Sequence, residues 1–131
     1  MNLLILSMLL LFVPMPPENP PPADLNKCEQ TMLQDVNKQR AAHGLRPVVI
    51  DKTLQDGCRN HTIWMGRHRA LRHARKVNEN IAMGQRDTNE VIRTWMNSSG
   101  HRANILNRRW TKVGVCGYRI GGTFWWTQRF R

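Results

Sequence analysis

The stretch that decides the fold is Glu90-Val-Ile-Arg-Thr-Trp95-Met-Asn-Ser-Ser-Gly100-His101-Arg-Ala-Asn104-Ile-Leu106. Its first half has apolar residues at helical spacing, which predict the buried stripe of a helix beginning at Asp87 or Thr88. The polar turn that follows ends this helix, and Ser99 is in position to cap a short helix that runs to Leu106. The run therefore predicts two helices with a histidine, His101, at the turn between them.

Two longer helices are predicted upstream of this run. Asp24 is in position to cap a helix that begins near Leu25 and stops at Gly44, and Asp51 caps a second helix that ends at Gly66. Each has one buried face, formed by Cys28, Met32, Val36 and Arg40 in the first helix and by Leu54, Cys58, His61 and Met65 in the second.

The remaining segments predict a small sheet. Lys112 to Ile120 and Thr123 to Phe130 predict an antiparallel hairpin that turns at Gly121-Gly122. Further extended or irregular segments are predicted at Pro47–Ile50, Arg67–Lys76 and Ile81–Met83. Helices followed by a terminal hairpin indicate an α+β fold in which helices cover a small antiparallel sheet.

Composition narrows the classes of partner. The chain has 131 residues, enough for one domain, and 20 Lys and Arg against 9 Asp and Glu give a net charge of +11. Such a charge favours anionic partners, namely a polymer, a lipid or another component of the cell envelope. The charges are scattered, without helix-turn-helix or zinc-finger spacing, so nucleic acid is not the expected partner. Because the charges are scattered, a solvated basic surface is the first interpretation of the composition alone, and a surface for an anionic partner is the second.

The N-terminal residues are predicted to lie outside the domain. Leu3 to Val13 form an apolar run of the length found in secretory signals, and Pro14 to Pro22 form an extended spacer. We therefore interpret residues 1–23 as a signal peptide or an N-terminal membrane anchor with a Pro-rich spacer, and residues 24–131 as the domain. The expected location is secreted or cell-envelope; a mispredicted start of the chain is the alternative.

Three cysteines, Cys28, Cys58 and Cys116, cannot all pair within one chain. If the domain is exported, we expect one disulfide and one remaining thiol, and the sequence does not select the pair. Buried free thiols are the alternative, since the spacing matches no zinc-binding pattern.

Several blocks of the sequence resemble the CAP superfamily of cysteine-rich secretory, antigen 5 and pathogenesis-related proteins, also termed SCP-like, in its bacterial-type form. Besides the opening run, they are Asn37–Val48, Leu54–Met65, Leu71–His73, Asn78–Gly84, Val113–Val115 and Phe124–Phe130. They occur in the family order from about Asp24 to the end of the chain. The resemblance implies an α-β-α sandwich.

The resemblance also implies a site. The family's cavity tetrad falls on His73, Glu79, Glu90 and His101, which is associated in the family with divalent metal binding and, in some members, with hydrolysis. The two histidines are the expected metal ligands, for zinc or another divalent ion. The chain departs from the family pattern at Asn78, where a glycine commonly precedes the motif's glutamate.

Each tetrad residue also has a structural interpretation. Glu90 completes a helix N-cap, His101 bonds backbone in its turn, Glu79 pairs with a nearby basic residue, and His73 is solvated in a basic loop. A different metal cluster of His61, His68 and His73 is the weaker alternative, because His61 falls on the buried face of its helix.

Three functions therefore remain open. The leading hypothesis is an exported domain that binds a divalent metal and an anionic or amphipathic envelope ligand in its cavity. The second is a metal-assisted hydrolase acting on peptide or wall material, with Glu79 or Glu90 as base. The third is a non-catalytic basic adhesion module for an anionic polymer.

Overall fold

A computed structural model describes residues 24–131, and the apolar run and the Pro-rich spacer lie outside the described residues. In chain order the elements are α1 Lys27–Ala42, β1 Val49–Ile50, α2 Lys52–His68, β2 Asn78–Met83, α3 Thr88–Met96, α4 Ser99–Ile105, β3 Lys112–Ile120 and β4 Thr123–Phe130. Within residues 24–131, none of the helices has both the length and the apolar character that crossing a bilayer requires. The assignment of residues 1–23 stays a prediction.

The four strands form one sheet in the order β1-β3-β4-β2. The predicted hairpin is confirmed: β3 and β4 are antiparallel and turn at Gly121 and Gly122, both of which have positive φ. β2 pairs antiparallel with β4 and forms one edge of the sheet. The sheet is mixed rather than wholly antiparallel, because β1, predicted as an extended connection, pairs parallel to β3.

Helices cover both faces of this sheet, which confirms the predicted α-β-α sandwich. On one face, the larger core joins α1, α3 and α4 to the strands and includes Met32, Trp95, Ile105, Val113 and Trp126. On the other face, α2 packs through Met65 against Ile81 and Trp125. The close approach of α2 to β3 requires Gly114, since a Cβ there would lie 2.5 Å from the backbone of Leu54.

Two helix boundaries differ from the sequence prediction. Asn26, not Asp24, caps α1, in a capping box that it forms with Glu29. α2 does not end at Gly66 but continues to His68, and Arg69 ends it in a left-handed conformation with φ of 48°. Gly66 is needed inside the helix because Ile120 packs directly over it.

The boundaries of the opening run are close to the prediction. Asp87 caps α3 by accepting a hydrogen bond from the backbone N–H of Glu90. Ser98 rather than Ser99 occupies the N-cap position of α4, and its side chain forms no capping bond. The turn at Asn97 to Gly100 is therefore held by backbone hydrogen bonds and by the packing of α3 and α4, not by a side-chain cap.

All three cysteines are free thiols, so the expected disulfide is not present. Cys58 on α2 and Cys116 on β3 are fully buried, whereas Cys28 is half-buried. Burial raises the pKa of Cys116 to about 12 and raises that of Cys58 well above its ordinary value. Both act as small apolar residues between α2 and the sheet.

One buried charge joins distant parts of the chain. Arg40, near the end of α1, is fully buried. Its guanidinium donates hydrogen bonds to four backbone oxygens, those of Arg46, Ile105, Asn107 and Trp110, at 2.8 to 3.3 Å. Arg40 therefore fixes the loop between α4 and β3 against the end of α1.

Candidate functional site

The candidate site surrounds the edge strand β2. Successive residues of a strand point to opposite faces, and Glu79 and Asn80 are successive. Glu79 lies on the α2 side and contacts His73, while Asn80 lies on the α4 side and contacts the backbone of His101. One strand thus supports the two halves of the site from its two faces.

Glu79 is the centre of the first half. Its carboxylate is buried and accepts hydrogen bonds from the Nδ1 of His73 at 3.1 Å, the backbone N–H of Ala74 at 2.7 Å and the Nε of Arg129 at 3.0 Å. Arg129 lies directly across from Glu79, in register on β4. These contacts include a cation and satisfy both carboxylate oxygens, so the buried charge is stabilised.

The contact with Glu79 fixes the tautomer and the orientation of His73. A carboxylate only accepts hydrogen bonds, so the proton lies on Nδ1 and the Nε2 lone pair stays free. The side chain of His73 is 59% exposed, which leaves it accessible to solvent. An imidazole that is oriented by a carboxylate in this way is the usual arrangement for a metal ligand.

His61 is a member of this half that the sequence interpretation set aside as a packed residue. Its Nε2 donates to the backbone oxygen of Arg72 at 2.7 Å and lies 3.8 Å from Glu79 Oε1. It therefore holds the loop that carries His73 against α2. The helical spacing correctly predicted that His61 lies on the buried face of α2. It could not predict that His61 contacts Arg72 and Glu79.

The second half lies between β2 and α4. Asn80 donates to the backbone oxygen of His101 at 3.0 Å and to the side-chain oxygen of Gln128 at 3.2 Å, and it accepts from Asn104 at 2.9 Å. Two buried polar atoms here have no partner among the described residues, His101 Nδ1 and Gln128 Nε2. A polar group or a water molecule that binds here would satisfy them.

The two halves are electrostatically coupled. Burial, and secondly the nearby His73, lower the pKa of His101 below its ordinary value of 6.5. His101 is therefore neutral at pH 7 and has a lone pair available. The charge that His73 would carry therefore acts on His101, although the two residues come from separate segments, a loop and α4.

The shifted pKa of His101 predicts a pH dependence of stability. Because the unfolded chain keeps the ordinary value, it binds more protons than the folded chain below pH 6.5. We expect the free energy of unfolding to fall as the pH decreases below that value. Titration of the His101 ring protons by NMR measures the pKa directly, and replacing His73 by alanine should raise it toward 6.5. A pKa of His101 above 6.5 would contradict the prediction.

Glu90 lies apart from these contacts. Its carboxylate accepts from the backbone N–H of Arg86 at 3.1 Å, and its side chain is 37% exposed. Asp87 in turn accepts from the backbone N–H of Glu90 at 2.8 Å. These are the contacts of a residue in the first turn of α3, and they match the capping interpretation of Glu90.

The donor set can be compared with the needs of a metal ion. Among residues 24–131, no group of three or more His, Cys, Asp or Glu side chains converges in a way that could hold an ion. This does not fit a closed structural zinc site, which has four protein ligands. A site with fewer protein ligands would use the Nε2 of His73, which faces away from Glu79, and the buried Nδ1 of His101, which has no partner among the described residues.

Comparison with known proteins agrees with this fold. The family model named CAP, the cysteine-rich secretory protein family, matches residues 33–130. The uncharacterized protein YkwD of Bacillus subtilis strain 168 is 34% identical in an alignment of 127 positions, gaps included, and the alignment covers 83% of this chain and 49% of YkwD. The chain therefore spans about half the length of this relative.

Solved structures show the same fold. An outer surface protein of Borrelia burgdorferi has a TM-score of 0.70 at 18% identity, over 78% of this chain and 90% of the Borrelia protein. An extracellular SCP-domain protein of Bacillus anthracis strain Ames has a TM-score of 0.69 at 24% identity, over 79% of this chain and 40% of that protein.

The α-β-α sandwich, with the blocks of sequence that build it, defines an SCP-like domain of bacterial type. The match over residues 33–130 makes the assignment specific. The chain belongs to the CAP, or cysteine-rich secretory protein, family.

Proposed function

We propose that the protein is an extracytoplasmic domain that binds a divalent metal ion, of the zinc class, through His73 and His101. The metal would help to hold an anionic or amphipathic ligand of the cell envelope. The contact between His73 Nδ1 and the buried carboxylate of Glu79 at 3.1 Å carries this proposal. It keeps Nε2 of His73 free and aimed away from the carboxylate that orients it.

The state of His101 supports the same role. An imidazole binds metal only when it is neutral, and the lowered pKa of His101 keeps it neutral through the physiological range. A protonated histidine would repel a positive ion, whereas the neutral ring of His101 offers a lone pair. A metal held by two protein ligands would have open positions for an anionic oxygen and would act there as a Lewis acid.

The contacts of Glu79 argue against a role for this residue as the base of a hydrolase. A general base needs a carboxylate oxygen that can reach the substrate water. Both oxygens of Glu79 already accept from His73, Ala74 and Arg129, and the side chain is 1% exposed. These contacts support a positioning role for Glu79, acting through His73.

Charge and comparison support the location and the class of ligand. The net charge of +11 attracts anionic groups, which are abundant in cell envelopes. Two of the structural neighbours are described as an outer surface protein and an extracellular protein. Together with the apolar run Leu3 to Val13, these observations favour an exported protein.

Titration of the purified protein with zinc, monitored by isothermal titration calorimetry, tests the metal site. We expect one zinc ion per chain, with affinity reduced at least about tenfold, or 1.4 kcal/mol, in His73→Ala and in His101→Ala. His43→Ala is the matched control, because His43 is exposed and its partners within residues 24–131 are the backbone of Gln39 and the side chain of Arg102. It should bind zinc as the wild type does.

A second variant separates metal binding from folding. Glu79→Gln removes the carboxylate that fixes His73 and should weaken zinc binding less than His73→Ala does. Circular dichroism shows whether each variant is folded. If the folded double variant of His73 and His101 binds as much zinc as the wild type, the proposed site is wrong.

A further inference from the structure

A second surface, which meets the candidate site at His73, has a strong and uncompensated positive charge. The segment from the end of α2 into the following loop contains five exposed cations, namely Arg67, Arg69, Arg72, Arg75 and Lys76. No Asp or Glu occurs between Asp56 and Glu79, and Glu79 is buried. Within residues 24–131, none of the five cations forms an ion pair. This surface is therefore a concentrated positive field that is open to solvent.

Two grooves run through this surface and share one wall. The first, with a volume of about 280 Å³, is lined by His61, Trp64, Arg72, His73, Ala74 and Arg75, so it includes the metal ligand proposed above. The second, of about 330 Å³, lies on the other side of Trp64 and includes Asn60, Ile63, Arg67 and His68. We name the two together the α2 trough. Arg72 and Arg75 line the first groove and Arg67 lines the second, and both volumes lie near the lower limit found for ligand sites.

The stacking of Trp64 limits what the α2 trough can bind. The indole stacks with His61, one turn before it, with centroids 5.8 Å apart, and with His68, one turn after it, at 4.5 Å. Its faces are thus engaged within the helix. Single-stranded nucleic acid gains much of its affinity by stacking bases on free aromatic faces, whereas Trp64 is already stacked with two histidines.

The surface also lacks the apolar area that a membrane would require. Leu71 is 49% exposed, but it is the only large hydrophobic side chain in the segment with that degree of exposure. Binding in a lipid interface depends on a continuous apolar face, and an isolated leucine does not supply one. The surface is instead rich in groups that donate hydrogen bonds, from arginine, histidine and asparagine side chains.

We propose that the α2 trough binds a linear polysaccharide that carries carboxylate groups. Such a polymer has anions at regular intervals, which can pair with the cations that line the two grooves, and hydroxyl groups that can bond Asn60 and His68. The guanidinium group of arginine pairs with a carboxylate through two parallel hydrogen bonds, which favours Arg67, Arg72 and Arg75 as the main contacts. This binding does not depend on a metal ion, so it goes beyond the function proposed for His73 and His101.

Fluorescence anisotropy with a labelled oligogalacturonate tests the proposal. The experiment uses the wild-type chain in EDTA, so that the outcome does not depend on zinc binding. We expect saturable binding that weakens steeply between about 50 and about 300 mM NaCl. Neutral dextran of similar length should not compete.

Two triple variants with equal charge changes locate the binding. Arg67→Gln, Arg72→Gln and Arg75→Gln together should reduce affinity at least about tenfold, or 1.4 kcal/mol. The control replaces Arg46, Arg108 and Arg109 by glutamine; these three are also exposed but lie outside the α2 trough. The control should change affinity by less than about threefold.

Three results would overturn the proposal. Equal losses in the two triple variants would show that net charge alone attracts the polymer. Tighter binding of a single-stranded oligothymidylate would indicate a nucleic-acid surface, and tighter binding of phosphatidylglycerol vesicles would indicate a lipid surface. By contrast, oligogalacturonate binding that is retained in His101→Ala, with zinc binding lost, would support two sites that act separately.

Discussion

Replacing Arg40 by methionine is expected to lower the free energy of unfolding by about 3–5 kcal/mol. Methionine approximates the length of the side chain but leaves four backbone oxygens, at Arg46, Ile105, Asn107 and Trp110, without their donor. At least one of these bonds, to Ile105, is wholly buried, so water cannot replace it without opening the loop. Urea denaturation followed by circular dichroism measures the change.

Two variants make this prediction specific. Arg40→Lys keeps the charge but replaces the planar guanidinium with a single ammonium nitrogen, which cannot reach all four oxygens. It should therefore be more stable than Arg40→Met but less stable than the wild type. Arg46→Gln changes an exposed side chain while the backbone oxygen of residue 46 is kept, and it should stay within about 0.5 kcal/mol of the wild type. An Arg40→Met protein as stable as the Arg46→Gln protein would show that the buried bonds contribute nothing.

Replacing Trp95 by alanine should lower the free energy of unfolding by about 3–5 kcal/mol as well. Trp95 is fully buried at the centre of the larger core, and its indole N–H donates to the backbone oxygen of Ile81 at 3.2 Å. The variant would leave a cavity between α3 and β2 and an unsatisfied oxygen on the strand that supports the site. Thermal unfolding and urea titration both report the loss.

Trp95→Phe separates the two contributions. Phenylalanine fills much of the same volume but cannot donate to Ile81, so a loss of about 1–2 kcal/mol is expected. If the phenylalanine and alanine variants are equally destabilised, the hydrogen bond dominates and the cavity does not. If the alanine variant loses less than about 1 kcal/mol, the core has repacked and the prediction is wrong.

The sequence predicted the fold well where local patterns and blocks of resemblance agreed. The hairpin at Gly121-Gly122 and the start of α3 at Thr88 follow from residues a few positions apart. The spacing of α1 even placed Arg40 on the buried face. Its partners could not be predicted, because they lie up to 70 residues away and are backbone oxygens, which have no sequence signature.

Helix ends were predicted less well because tertiary contacts decide them. Glycine commonly ends helices, but Gly66 lies inside the last turn of α2. The side chain of Ile120 packs directly over it and leaves no room for a Cβ. The capping residue of α1 is Asn26 rather than Asp24, and Asp24 instead lies near Arg59 of α2. In both cases a residue on another element determined which of two acceptable local structures forms.

The candidate site was predicted only in part. His73 and Glu79 are only six residues apart in the sequence, and their side chains are in contact in the structure. The roles of Arg129 and His61 were missed because both depend on strand register and helix packing. Glu90 illustrates the opposite case, in which the local capping pattern already accounts for the contacts that the structure has.

The placement of Glu79 and Asn80 on opposite faces of β2 makes the site sensitive to strand slippage. A shift of β2 by one residue along β4 would exchange the two faces, so that an amide would meet His73 and a carboxylate would meet the α4 side. Both halves would fail together, although no side chain had changed. An insertion or deletion of one residue before Asn78 should therefore be more damaging to the site than a point substitution of either residue, and engineered loops grafted onto this fold should leave that junction intact.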